Sequence, residues 1–470
     1  MRKFSLLSGF YCVVARLILY RTTGVVVRML ERPDDFQDIT HVVLDEVHER
    51  TIDSDFLLIV LRRLMEKRPD LKLILMSATL DAQRFSNYLG GVPVLNIPGR
   101  TFPVEMKYLE DAVEMTNYRL SEDAQHTVFD DDMDDPPTDA DTTGGLQASL
   151  DGYSRQTKET VINIDEYRLD YDLIKRLLLK IATAPEMVHY SKAILIFMPG
   201  LAEIRRLNDE ILSEPMFQRG WIVHTLHSSI ASEDQEKAFN VPPEGTRKIV
   251  IATNIAETGI TIPDITAVVD AGKEKIMRFD ERRQLSRLVE SFISRANAKQ
   301  RRGRAGRVQN GICFHLFTKH RHEKLLSEQQ TPELLRLSLQ DLVLRVKICK
   351  LGEVEQTLLE ALDPPSSKNI RRAIDSLKEV KALTSNESLT SLGTQLAKLP
   401  LDVFLGKMII HGAFFRCLDA TVSIAAILSS KSPFVNTIGS NSQRDGARAS
   451  FRRGMTQYID LPQLITNRSR

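Results

Sequence analysis

The chain has 470 residues, 42% of them apolar and 27% charged, which matches an ordinary soluble globular protein and excludes collagen-like, wholly disordered and polytopic membrane classes. That length exceeds what one hydrophobic core supports and implies about three domains of roughly 150 residues each. Lysine and arginine number 63 against 62 acidic residues, so the net charge of +1 gives no global sign of a polyanionic partner.

Met1-Arg2-Lys3 followed by Phe4 to Ala15 imitates a secretory signal, but Arg16 interrupts the run and no small-residue cleavage motif follows. No apolar stretch reaches the roughly 18 residues that span a bilayer, so no membrane partner is expected. Cys12, Cys313, Cys349 and Cys417 are too scattered for a disulfide framework or a zinc ribbon, which points to a reducing compartment. Short runs rich in Val, Ile and Leu predict strands over Arg16 to Tyr20, His41 to Leu44, Leu71 to Met76, Ala193 to Phe197, Trp221 to Leu226, Lys248 to Ala252 and Ala267 to Asp270. Helical patterns alternate with them, the signature of βα units around a parallel sheet, where ligands bind at the carboxyl ends of the strands.

One window breaks this pattern. Leu109 to Asp141 holds twelve acidic residues and one basic residue, Arg119, and reads as a solvated, disordered insertion between two α/β halves. The window carries −11, which leaves the rest of the chain at +12, so the neutral total averages two opposed populations. After Thr331 strand signals mostly stop. Ile370, Ala373, Ile374 and Leu377 follow Pro364-Pro365-Ser366 at helical spacing, and Val403 to Leu428 is almost continuously helix-compatible. From Val435 the chain turns polar and receives no functional assignment.

Four constellations carry chemistry. His41 to Leu44 runs into Asp45-Glu46-Val47-His48; two adjacent carboxylates at the exit of a buried strand suit nucleotide hydrolysis, one serving Mg²⁺ and the other the attacking water. A solvated strand end, with His48 a packing histidine, is the plain alternative. Ser77-Ala78-Thr79 closes the next strand, where its hydroxyls can bond those carboxylates and couple nucleotide state to domain movement, or merely cap a helix. Ala252 to Asp264, reading ATNIAETGITIPD, offers Thr253, Thr258 and Thr261 for phosphate or sugar contacts, and Glu257 and Asp264 for ribose hydroxyls or a metal-bound water; a structural turn is the alternative. Gln300 to Arg307, reading QRRGRAGR, places four guanidiniums in eight residues, suited to gripping phosphate oxygens and stabilising charge in phosphoryl transfer.

In this order the constellations resemble a superfamily 2 RNA helicase of the DEAH/DExH-box group, over roughly Arg16 to Phe434 apart from the acidic insertion. The resemblance implies an α/β fold with two RecA-like parallel-sheet domains, the first incomplete, followed by α-rich winged-helix and ratchet domains. The expected boundaries are 1–107 for the partial first domain, 108–166 for the insertion, 167–330 for the second, 331–388 for the winged helix, 389–434 for the start of the ratchet and 435–470 for the polar tail. Thr331-Pro332-Glu333 and Leu362-Asp363-Pro364-Pro365 resemble the winged-helix region, and Leu389 to Asp402 the start of the ratchet.

Site roles follow from the same resemblance. Asp45 and Glu46 would serve Mg²⁺ and water, with His48 beside them; Gln300, Arg304 and Arg307 would reach the γ-phosphate; Phe239 would stack on adenine, with Glu257, Thr258 and Asp264 completing the nucleotide contacts. Thr22, Gly24 and Arg28 would touch RNA from the first domain, and Pro199, Gly200, Ser228, Ser229 and Thr253 from the second. Ser77, Ala78 and Thr79 would couple the two. The implied cofactors are ATP and Mg²⁺. The implied partner is single-stranded or structured RNA, with a ribosome or ribonucleoprotein as a further one, because the wording of Glu257 to Thr261 and the acidic insertion look most like the branch that acts in translation. A cytoplasmic monomer is expected, with the nucleus as the alternative compartment.

A helicase of this group also needs a phosphate-cradling GxxxxGK[ST] loop, and none occurs here: Gly272-Lys273 and Gly406-Lys407 are followed by Glu and Met. Nor is the family's OB-fold found after Phe434. The chain is therefore expected to be a truncated helicase product, or one whose gene boundaries are misdrawn, with exposed apolar sheet faces in its first domain and weak or no ATP hydrolysis of its own. Two alternatives stand beside the helicase reading: a non-catalytic RNA-binding or regulatory fragment, and a DNA helicase or translocase.

Overall fold

The computed structural model describes residues 18–30, 36–78, 82–99, 102–120, 142–230, 232–257, 261–280, 285–399 and 401–429. Thr79, Thr258, residues 121–141 and the tail 435–470 fall outside them.

Two α/β lobes are present. The first has two parallel strands, β1 (His41–Leu44) and β2 (Lys72–Leu75), in register from His41 against Lys72 to Leu44 against Leu75. The second has six parallel strands, β3 (Val104–Lys107), β4 (Ala193–Phe197), β5 (Trp221–Leu226), β6 (Arg247–Ala252), β7 (Ala267–Asp270) and β10 (Gly311–His315), ordered β3-β10-β7-β4-β6-β5. Between β7 and β10 an antiparallel hairpin, β8 (Lys273–Asp280) and β9 (Leu285–Phe292), leaves the sheet. In β4 every residue is buried, as expected of a central parallel strand covered by helices on both faces.

Sequence reading misses β3, β10 and the hairpin. β3 is a short edge strand reading Val-Glu-Met-Lys, with the mixed composition an edge tolerates. β10 carries Cys313 and His315 in a strand with no exposed residue. Gly311 opens it because a Cβ there would lie 2.6 Å from Ala305, on the arginine loop that precedes the strand. Conversely, Ile18 to Tyr20 form no strand; among the described residues they have no ladder partner, and Ile18 and Tyr20 stand exposed.

Two expected boundaries move. β3 precedes the acidic window but pairs with β10, so the second lobe begins before residue 108. The window is also folded at both roots: Leu109–Thr116, Thr142–Ser149 and Arg155–Asn163 are helical, and Leu109, Val113, Tyr118, Leu150, Val161 and Leu173 form one buried cluster. Composition averaged over 108–166 hid the four-residue spacing of Leu109 and Val113.

The first lobe shares its core with the accessory helices. Phe56, Leu57, Ile59 and Leu61 of the helix Ile52–Lys67 join Leu342, Val343 and Val346 of Gln340–Ile348 and Ile370 and Leu377 of Ser367–Glu379 in a single cluster. That last helix starts where its pattern predicts, with Ser366 capping the Asn369 amide. The run read as continuous over Val403 to Leu428 is instead two helices, Val403–Phe414 and Leu418–Ser429, parted at Arg416, which has a left-handed φ of 57°. Val43 and Ile74, by contrast, are about half exposed on the two-stranded sheet.

Because the core is shared, Leu57→Ala should cost about 2–5 kcal/mol and loosen both parts at once. Chemical denaturation with hydrogen exchange should show protection falling in Ser367–Glu379 as well as in Ile52–Lys67.

Candidate functional site

The acid pair sits on a strained turn. Glu46 and Arg50 bracket a single 3₁₀ turn, Val47–Glu49, and both adopt left-handed φ, 53° and 51°. For side-chain-bearing residues this costs on the order of 1–2 kcal/mol each, so the surroundings must enforce it. Val47 is buried and donates its N–H to the Met76 carbonyl at 3.1 Å, while the Met76 amide donates to Leu44 O at 2.8 Å, tying the ends of β1 and β2 together. Asp45 is exposed and accepts the Glu46 amide at 2.9 Å. Burial raises the Glu46 pKa; His48 opposes this, Asp45 and Glu49 add to it, and Arg304 also opposes it.

His48 is where the constellations meet. Its side chain is 6% exposed, with Nδ1 3.4 Å from Glu46 Oε2. Nδ1 also accepts the Ala78 amide at 3.3 Å, and Nε2 meets the Gln300 carboxamide at 2.6 Å. The strand end of the first lobe, the Ser77-Ala78 segment and the arginine loop of the second lobe therefore converge on one imidazole. Sequence reading expects the hydroxyls of this segment to reach the carboxylates; Thr79 lies outside the described residues, and the Ala78 main chain links the segment to His48.

The arginine loop leaves the helix Arg295–Arg302, whose start Ser294 caps by accepting the Asn297 amide. Arg304 bonds the Glu257 carbonyl and Arg307 the Thr261 hydroxyl. Burial brings the Arg304 pKa down to about 10, with Arg307 pushing the same way. Arg301 points inward: 1% exposed, it reaches Glu257 Oε2 at 2.9 Å, Asp270 Oδ1 at 2.8 Å and the Lys273 carbonyl at 3.2 Å, with the Phe197 ring 4.9 Å away. His315 closes the network on Asp270 Oδ2 at 3.1 Å. Burial alone would raise Asp270, yet Arg301 and His315 outweigh it and hold the carboxyl at about 2. The sequence signal for this inward arginine is its place three residues after Ala298, on the buried face of the same helix.

Two expected nucleotide contacts turn away from the cleft. Glu257 is buried, with Oε1 taken by Asn297 at 2.5 Å and Oε2 by Arg301. Asp264 pairs with Lys248 at 2.6 Å, both side chains nearly inaccessible. Glu257 spends both carboxylate oxygens on loop anchors, and Asp264 spends Oδ1 on Lys248 while its Oδ2 is buried without a hydrogen-bond partner; burying such charges requires pairing of this kind. Lys248 also bonds the carbonyls of Ala238 and Asn240 at 3.1 and 3.0 Å, fixing the chain on either side of half-buried Phe239.

The expected RNA contacts of the second lobe form a row. Phe197 pairs with Ala252, and Ala252 with Leu226, so Pro199-Gly200, Thr253 and Ser228-Ser229 follow three adjacent strands at one level of the carboxyl edge. Ser228 is exposed, Ser229 Oγ lies 2.6 Å from His227 Nδ1, and Pro199, Gly200 and Thr253 are buried. Thr22, Gly24 and Arg28 lie on the first lobe, Thr22 and Arg28 exposed and Gly24 packed against Asp53.

Comparison with known proteins matches this layout. The Helicase conserved C-terminal domain family matches residues 172–309, and the Helicase associated domain (HA2), ratchet-like, matches residues 402–458. A Xenopus laevis protein described as ATP-dependent RNA helicase dhx29 is 44% identical over 95% of the chain. The crystal structure of the Escherichia coli DEAH/RHA helicase HrpB superposes with a TM-score of 0.67 at 30% identity over 88% of the chain. The chain belongs to the DEAH/DExH-box group of superfamily 2 helicases. The Bos taurus ATP-dependent DNA/RNA helicase DHX36 is 41% identical over 92% of this helicase chain. The chain spans about a third of the Xenopus protein (34%), and 44% and 45% of the Bos taurus and Escherichia coli ones. The HA2 match runs past the expected ratchet boundary at 434 into the segment read as a polar tail.

The two arginines of the loop should separate by stability. Arg301→Gln leaves buried carboxylates unpaired and should cost about 3–5 kcal/mol, whereas Arg304→Gln should stay within about 1 kcal/mol, both read by urea denaturation. Glu274, buried beside Gln330 at 3.0 Å, gives a pH test. Burial raises it from 4.5 to about 7, although Arg301 opposes this. Between those values the folded chain holds the extra proton, so this contribution to stability is complete below 4.5 and is lost as pH rises through 7. Glu274→Gln should therefore flatten the fall in Tm between about pH 5 and 8.

Proposed function

We propose that the chain is the catalytic-face portion of an ATP-dependent RNA helicase, in which RNA-stimulated NTP hydrolysis drives strand translocation and unwinding. The observation that carries this reading is the 2.6 Å contact of His48 with Gln300, which sets the acid pair of one lobe beside the arginine loop of the other. In this reading Glu46 takes the proton of the attacking water, Arg304 and Arg307 stabilise charge on the transferred phosphoryl group, and Phe239 stacks on the base. Exposed Asp45 and half-exposed Glu46 would hold Mg²⁺, which neutralises phosphate charge when bound. Two adjacent carboxylates fit an ion that takes its remaining ligands from phosphate and water, and no group of three potential ligands occurs among the described residues. The row Pro199-Gly200, Ser228-Ser229 and Thr253 would follow an RNA backbone; the named relatives support RNA, and translation-linked ribonucleoprotein in the cytoplasm remains part of the proposal.

A second reading, an RNA-binding module with little hydrolysis of its own, is favoured by one observation: the 470 residues contain no GxxxxGK[ST] loop to cradle the phosphates.

Steady-state ATPase with and without RNA, run beside filter binding across a salt series, separates the two. Under the helicase reading RNA stimulates turnover, Glu46→Gln lowers it on the order of 10²-fold, and Arg304→Gln lowers it on the order of 10³-fold or more. RNA affinity that falls with salt and ignores ATP, without turnover, leaves only the binding module. Stronger stimulation by DNA than by RNA would overturn both.

A further inference from the structure

Thr331-Pro332-Glu333 and Leu362-Asp363-Pro364-Pro365 lie far from the acid pair in sequence, yet both converge on Arg50, the residue that ends its turn. Arg50 is 7% exposed and spends its guanidinium on two carboxylates. Nε and Nη2 bond Asp55 at 2.9 and 3.0 Å, and Nη1 reaches Asp363 Oδ2 at 2.6 Å. Arg84, itself exposed, also pairs with Asp363, so two arginines and two carboxylates balance around the buried Arg50–Asp55 pair. The main chain of Arg50 is held separately: its carbonyl accepts the Glu333 amide at 3.1 Å, and Glu333 Oε2 accepts the Ile52 amide at 2.9 Å. Side chain and backbone of a residue in left-handed conformation are thus each gripped by a different segment of the accessory region.

We propose that Asp363 and Glu333 are positioning residues for the acid pair, acting through Arg50 to hold the turn that presents Glu46 to the cleft and His48 to Gln300. A turn bracketed by two left-handed side-chain-bearing residues relaxes unless its surroundings over-determine it. Val47 supplies one restraint from β2, and Asp363 and Glu333 supply the others. The accessory helices would thereby set the geometry of the hydrolytic carboxylate without touching the nucleotide. The inference rests on Glu46 being that carboxylate, as proposed above.

The test uses the full chain and four variants: Asp363→Asn, Glu333→Gln, Arg50→Lys and, as control, Glu360→Gln. The control breaks a different junction between the same two parts, the fork of Arg63 on Glu360 at 2.9 and 2.6 Å. Hydrogen exchange is read at the turn amides of Val47, Glu49 and Arg50, which bond Met76, Glu46 and Val47. The first three variants should speed it by about tenfold or more while Ser367–Glu379 stays protected, and the control should leave the turn at the wild-type rate. In parallel, kcat for ATP should fall ten- to a hundredfold, on the order of a small misplacement of a reacting group, with KM changed less than about twofold. Unchanged turn exchange in Asp363→Asn and Glu333→Gln, an equal effect of Glu360→Gln, or a loosened turn with kcat intact in an active chain would each overturn the proposal. If the wild-type chain shows no turnover, the binding-module reading of this chain stands, and the exchange comparison alone decides whether these residues hold the turn.

Discussion

A guanidinium with almost no access to water organises the second lobe. Arg301 ties the end of β7 through Asp270, the threonine-rich loop through Glu257 and the start of the hairpin through the Lys273 carbonyl. Burial works against its charge, and Asp270, Glu257 and Glu274 more than offset this, so the group stays ionised in the interior. Removing a buried charge from such a set is far costlier than never having built it. Arg304 rests on the Glu257 carbonyl, whose side chain Arg301 locks, so this half-buried arginine owes its placement to the hidden one.

The first lobe depends on a different device. The two strands found among the described residues of this lobe, with their flanking helices, do not enclose a core of their own. The accessory helices share its core and supply charged partners at its edge, Arg345 to Asp53 and Glu360 to Arg63. Residues far apart in the chain thus form one packed body, and the acid pair sits at the seam between that body and the second lobe.

Much of this was legible in the residues. Six strands fall within a residue of where their apolar runs place them, because buried parallel strands advertise themselves in Val, Ile and Leu. Gln300 meets His48, two residues beyond the acid pair. Legibility failed where side chains serve the interior while looking functional: Glu257 and Asp264 carry the right chemistry in the right loop, and only the position of Arg301 and Lys248 shows that their charges are already spoken for. It failed also for β3 and β10, whose mixed composition masks strands that need a neighbour to be strands. Arg50 illustrates a third case, since neither Glu333 nor Asp363 is near it in sequence and long-range partners have no local signature.

The edge position of β3 has a topological consequence. With β3 on the second sheet and both roots of the acidic window in the same buried cluster, that window is a closed excursion from a single lobe. Its length therefore leaves the spacing of the lobes untouched. One covalent tether between the lobes is the earlier stretch 89–103, between the helix Ala82–Tyr88 and β3, and the other is the passage from β10 into the accessory helices that share the first lobe's core. The reach of the first, at most about 50 Å for a fully extended chain of that length, is what bounds how far the cleft beside His48 can open on that side.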